Sequence, residues 1–117
     1  MKRIMVLTVI ILSLVLGSCD YVTLYDITVK NTCGFTVRIG IEWYEYLEPS
    51  PYSYLDPGSS TTYKELTYGT RYLHVRDPDY SWSSVRGHSA IEMKVDRSET
   101  WEVQWDGFKY SVVTRNY

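Results

Sequence analysis

The chain has 117 residues, 44% of them hydrophobic and 22% charged, with a formal net charge of −2, a balance that leaves room for one globular domain and excludes a disordered chain. All 14 acidic side chains lie at Asp20 or beyond, whereas Lys2 and Arg3 stand at the start. Without those two, 10 basic side chains remain against the 14 acidic ones and form no cluster, which argues against nucleic acid as a partner.

Residues 1–18 have the order of a secretory signal: Met1-Lys2-Arg3, then an apolar run over 4–16 broken only by Thr8 and Ser13, then Gly17 and Ser18. The run is shorter than the roughly 20 apolar residues that a helix needs to cross a bilayer. Leu16-Gly17-Ser18-Cys19 resembles the lipobox of bacterial lipoproteins. The resemblance implies a diacylglyceryl group on the Cys19 thiol, cleavage between Ser18 and Cys19, acylation of the new amine, and a place in the cell envelope. Each buried CH₂ contributes roughly 0.8 kcal/mol, so two or three acyl chains hold a protein on a membrane where one would let it escape. Asp20 is similar to the residue that retains lipoproteins in the inner membrane of enterobacteria.

Cleavage there leaves 99 residues, of which 19–24 form the anchor and tether and 25–117 the folded domain. Five tether residues, 20–24, reach under about 20 Å when extended, which holds the domain close to its membrane. Acylation of Cys19 leaves Cys33 as the one free thiol, so no internal disulfide can form. Cys33 is expected to be buried as a small apolar side chain, the alternative being a bridge between two chains.

From Tyr25 onward the hydrophobic pattern has period two, and no stretch of helical spacing competes with it. Tyr25, Ile27 and Val29 form one inward face. Next come Phe35, Val37, Ile39, Ile41 and Trp43, with Thr36, Arg38, Gly40 and Glu42 outward. A less regular strand covers 61–66, and Leu73 and Val75 follow with Tyr72, His74 and Arg76 outward. Ile91, Met93 and Val95 form another inward set, then Trp101, Val103 and Trp105, and a last strand covers 109–115. Turn residues fall between these runs at 31–34, 56–59, 68–69, 77–79 and 106–107. Asp106-Gly107 is a two-residue hairpin signal of type I′, pairing 101–105 with 108–114. The expected fold is all-β, a small antiparallel β-sandwich of about seven strands, with a small β-barrel as the alternative.

The Asn31-Thr32-Cys33 turn with Phe35-Thr36-Val37, together with Leu55-Asp56-Pro57-Gly58-Ser59-Ser60, is similar to the opening of thaumatin-like sandwiches. The likeness covers about 30 residues. Those proteins depend on many disulfides that this chain lacks the cysteines to form, so neither their cleft nor their carbohydrate activity is carried over.

No catalytic motif, cofactor motif or metal-ligand spacing is present, and the expectation is a protein that is not an enzyme and carries no cofactor. His74 is expected on a solvated sheet face and His88 in a loop. Asp77-Pro78-Asp79 reads as a turn rather than a calcium site, which needs six to eight oxygens. The distinctive feature is aromatic: 12 Tyr and 4 Trp against 2 Phe. Tyr joins an apolar ring to a polar tip and suits recognition surfaces. Two segments concentrate such rings, 43–54 with Pro49 and Pro51, and 79–84 with Tyr80 and Trp82 among Ser residues, a composition like that of binding loops. Tyr80, Trp82, Tyr52 and Tyr54 are the candidate contacts for a protein or peptide partner. The alternatives are a carbohydrate or peptidoglycan module, whose sugars stack on the same rings, and an inhibitor or immunity-type lipoprotein acting through the Pro49/Pro51 segment. Trp101 and Trp105, on one strand face, are assigned to the core.

Overall fold

The alternating side chains form eight strands in the computed structural model, which describes residues 22–78 and 87–116. They are β1 (Leu24–Asn31), β2 (Val37–Glu42), β3 (Ser53–Leu55), β4 (Ser60–Thr67), β5 (Gly69–Arg76), β6 (His88–Val95), β7 (Glu99–Trp105) and β8 (Tyr110–Arg115). Two open four-stranded sheets, in the orders β4-β1-β7-β8 and β3-β2-β5-β6, make a sandwich. Each sheet keeps two edges, so the barrel alternative does not form. No helix occurs among the described residues.

One pair departs from the antiparallel rule. β1 runs parallel to β7, from Ile27 opposite Glu99 to Asn31 opposite Val103. The cause is the crossing at 96–98. β6 finishes at the end of the sandwich where β1 begins, and the chain turns there into the other sheet, so β7 sets out in the direction of β1. That end is called the near end below, and the opposite end, at Asn31, the far end.

The core is filled by side chains spaced two apart on facing strands: Ile27 and Val29, Trp101 and Val103, Val37 and Ile39, Leu73 and Val75, all fully buried. Trp101 places its indole N–H on a carboxylate oxygen of Glu99, 2.9 Å away, so its large ring is buried without an orphaned donor. Trp105 packs edge-on to Phe35 and tilted against Tyr110. Both tryptophans thus take part in the core. Cys33 is buried, its Sγ 3.7 Å from the carbonyl of Val103.

The irregularity of β4 has a physical cause. Thr61 and Tyr63 continue one face, and the next position on it is Glu65, which cannot be buried without a partner. A bulge resolves the conflict. Tyr25 pairs with Leu66 but Ile27 with Tyr63, so two residues of β4 oppose Asp26 alone, and Glu65 takes a positive φ of 61°. Its N–H donates to Asp26 Oδ1 at 3.1 Å, and Leu66 turns inward in its place.

The β7–β8 hairpin forms with a longer turn than the two-residue expectation. Trp105 pairs with Tyr110, leaving four loop residues of which Gly107 has positive φ. The Asp106 carboxylate accepts the N–H groups of Phe108 at 2.8 Å and Lys109 at 2.9 Å. These two bonds hold its carboxyl below the usual carboxylate range. A side chain that caps the loop itself makes the tighter turn unnecessary.

Asn31 is fully buried and uses all the hydrogen-bonding capacity of its amide that the sandwich needs. Nδ2 donates to the carbonyls of Phe35 at 2.8 Å and Leu55 at 2.9 Å, while Oδ1 accepts the N–H of Cys33 at 2.9 Å. Asn31 belongs to one sheet and Leu55 to the other, so the amide ties the two sheets together. Asn31→Leu removes a partner from three groups at roughly 1–3 kcal/mol each, so a loss of about 3 kcal/mol or more is expected in urea unfolding. Thr28→Val, which breaks only the exposed Thr28–Thr62 hydroxyl contact, is expected to stay within about 0.5 kcal/mol.

Candidate functional site

The outer face of the β3-β2-β5-β6 sheet carries an arrangement that the other sheet lacks among the described residues: a loop folded flat against it. Register places Tyr54, Arg38, Arg76 and His88 in one row across four strands, and Gly40 opposite His74 in the next. A solvated row of that kind sets two guanidinium groups side by side, which is unfavourable. Residues 43–52 relieve it by crossing over the strands as a strap.

Pro49 is the foot of the strap. Its ring occupies the space over Gly40 where any other residue would put a Cβ, and Pro49 is buried as a result. Glu48, the residue before it, reaches the guanidinium of Arg76 at 2.5 Å. The Tyr52 ring lies under both arginines, with Arg76 5.4 Å and Arg38 5.6 Å from its centroid, and Arg38 also lies 5.9 Å from Tyr54. Arg38 Nη2 donates to the carbonyl of Asp77 at 3.1 Å. The positive row is therefore met by one carboxylate, a carbonyl and two ring faces, each favourable to a cation. Burial pushes the Tyr52 phenol above its ordinary pKa, with Arg76 opposing. Its hydroxyl has no hydrogen-bond partner among the described residues.

His74 corrects the expectation of a solvated side chain: it is 0% exposed. The strap covers it. Its Nε2 lies 3.3 Å from the carbonyl of Tyr44 and its Nδ1 2.9 Å from Nε2 of His88, whose ring stacks on it. A carbonyl only accepts, so His74 Nε2 carries a proton, and in the neutral pair His88 Nε2–H donates to His74 Nδ1. His88, expected in a loop, opens β6. Burial first, then His74 and Arg76, hold the His88 imidazole below its ordinary pKa, and Glu48 offsets this in part.

Of the four predicted contact residues, Tyr52 and Tyr54 come together at the arginine row, Tyr52 half-buried as a support and Tyr54 exposed. Tyr80 and Trp82 lie outside the described residues, as do Asp79 and Cys19. Trp43, expected inward on β2, instead follows the end of that strand and is exposed. Tyr44, Tyr46 and Leu47 on the crest of the strap are exposed as well. Sequence reasoning missed Arg38, Arg76, Glu48 and the covering role of Pro49. Gly40 was the available signal, since a glycine inside a strand marks close approach of another segment. Among the described residues no cluster of three metal-ligating side chains is found.

No protein-family model, curated protein or solved structure matches this chain. The functional reading therefore rests on the geometry of the site and on the sequence.

Gly40→Ala forces Pro49 off the sheet, at about 1–3 kcal/mol for an overpacked contact. Hydrogen exchange is expected to speed up across 43–52 while β7 stays protected. A second outcome concerns pH. With its pKa lowered, folded His88 binds fewer protons than the unfolded chain below about pH 6.5, so stability falls as pH drops through that range. The melting temperature is expected to decline between about pH 7.5 and about pH 5 more in the native protein than in His88→Asn.

Proposed function

We propose that this chain is a membrane-anchored bacterial lipoprotein, acylated on Cys19, whose non-enzymatic sandwich binds a protein or peptide partner through the strapped face. One observation carries the proposal. The strap is fastened from beneath by Pro49 on Gly40, Glu48 on Arg76 and the Tyr44 carbonyl on His74, while the rings of Tyr44, Tyr46 and Tyr54 face outward. A fold that needed those rings for its own stability would have buried them. A fastened loop with exposed tyrosines loses little conformational freedom on binding, which is how rigid aromatic contact surfaces gain affinity.

The second aromatic segment supports the same face. Residues 78–86 join β5 to β6, leaving after Asp77 and returning at Gly87, and the Asp77 N–H donates to the Gly87 carbonyl at 3.0 Å. The base of that segment lies beside the Arg38–Arg76–His88 row. Tyr80 and Trp82 thus belong to a connection that starts and ends next to Tyr52.

A photo-crosslinking residue at position 54 is expected to capture a protein in intact cells, and one at exposed Phe108, at the far end, is not. Tyr80→Ser with Trp82→Ser should cut capture at least several-fold without lowering the melting temperature. Capture unchanged in that variant would remove the 79–86 segment from the proposal, and equal capture from both positions would remove the face. Sugar-dependent loss of Trp fluorescence without protein capture would favour the glycan alternative. Fatty-acid labelling that persists in Cys19→Ala would sink the anchor.

A further inference from the structure

The near end of the sandwich, where β1 begins, carries a second exposed apolar group distinct from the strap crest. Val22 is 61% exposed, Leu24 46%, Trp43 54% and Tyr68 62%. Four strand ends bring these residues into one neighbourhood. Leu24 pairs with Thr67, which precedes Tyr68 in the β4–β5 turn, and Trp43 leaves β2 beside Gly69 of the same turn.

Trp43 is held in place, although no described residue covers it. Arg71 is buried, and its guanidinium carbon lies 3.2 Å from the centroid of the Trp43 ring. That guanidinium is itself fixed by donating to the Thr67 carbonyl at 3.0 Å and hydroxyl at 2.9 Å. Gly69 leaves room for the stack, since a Cβ there would lie 3.2 Å from Arg71 Nη1. Tyr68 is likewise met by Lys94, whose Nζ is 5.3 Å from its ring centroid. Behind Trp43 a cleft of about 240 Å³ opens between the sheets, with Ile41 and Leu66 on its wall and Glu42 and Glu65 in its lining.

We infer that this end is a seat for the bilayer interface, with Trp43, Tyr68 and Leu24 entering the headgroup region. The inference rests on the anchor reading of Cys19, which stands five residues before Leu24, so a lipid chain on it brings this end and no other within about 20 Å of the bilayer. Tryptophan and tyrosine favour that zone because their apolar rings and polar tips match its two sides. Charge does not drive the contact. Arg71, Lys94 and Arg97 stand among five carboxylates, Glu42, Glu65, Glu92, Asp96 and Glu99, so no excess of positive charge draws this end to anionic lipid and the attraction is apolar. The strap face then stands upright from the membrane, open to a partner from the side.

The test uses the full acylated protein in phosphatidylcholine vesicles containing lipid brominated near the headgroup end of its acyl chains. Tryptophan emission should be quenched in the native protein, and Trp43→Phe should remove most of that quenching while leaving vesicle flotation intact. Leu24→Ser with Tyr68→Ser, which retains Trp43, should also reduce it, covering the case in which Trp43→Phe folds poorly. Added phosphatidylglycerol should not strengthen the quenching; quenching that appears only with it would overturn the apolar basis. Flotation that depends on Cys19 but comes without Trp43 quenching would overturn the seat and leave the anchor standing. Flotation indifferent to Cys19→Ala would overturn the anchor and the inference with it.

Discussion

The side-chain amide of Asn31 performs three tasks at the far end of the sandwich, and the positions of the surrounding loops follow from them. By accepting the Cys33 N–H it makes the chain turn out of β1, and by donating to Phe35 and Leu55 it fixes the approach to β2 and the end of β3. Its backbone adds the 56–59 turn, since its N–H donates to the Ser59 carbonyl and its carbonyl accepts the Gly58 N–H. In a domain with no disulfide among its described residues, this fully paired amide is the polar bond between the layers at the far end, as the Arg71 guanidinium on Thr67 is at the near end, and dispersion and apolar burial join the rest. A buried polar group of this kind specifies one arrangement, because any slip of the sheets leaves several groups unpaired.

Fixing β3 beside β2 also dictates the path of the strap. β2 ends at the near end and β3 starts opposite Ile39, midway along β2, so residues 43–52 must travel back along the sheet. They can lie flat only because Gly40 leaves a gap for Pro49. Once there, the strap turns a row of cations from an unfavourable pairing into a supported one, through Glu48 and the ring of Tyr52. The buried His74 follows from the same covering. Its two ring nitrogens are met by the Tyr44 carbonyl and by His88, so its burial leaves no polar atom without a partner.

The two exposed aromatic groups differ in how they are held. The strap crest is supported from below by polar contacts, whereas Trp43 at the near end is braced by a buried arginine stacked on its face. Both are rings kept in fixed orientation at the surface, a condition that lowers the entropy lost when something binds them. In the proposed orientation one group meets the membrane and the other meets a partner beside it, and the short tether makes both compatible with a single placement of the domain.

How much of this could be read beforehand depended on the range of the interactions concerned. Ile27, Val29, Trp101 and Val103 were assigned correctly to the core because strand alternation is a local property. The burial of Cys33 was legible from the apolar habit of that side chain rather than from alternation, and the irregularity of 61–66 from Glu65, which interrupts its own inward face. Trp43 and His74 were misplaced because the pattern around each is strand-like, and only the path of 43–52 decides that one lies beyond the strand end and the other beneath a cover. Tyr52 and Tyr54 were picked out by composition, but their separation into a support and an exposed ring was not. By itself the sequence determined seven of the eight strands, β3 (Ser53–Leu55) falling in the segment read as an aromatic loop, and most of their inward faces, all carried by neighbours along the chain. The tertiary structure alone decided the parallel β1–β7 pair, the turn register at Asp106 and the strap over Gly40, because each depends on contacts or pairing partners that neighbouring residues do not specify.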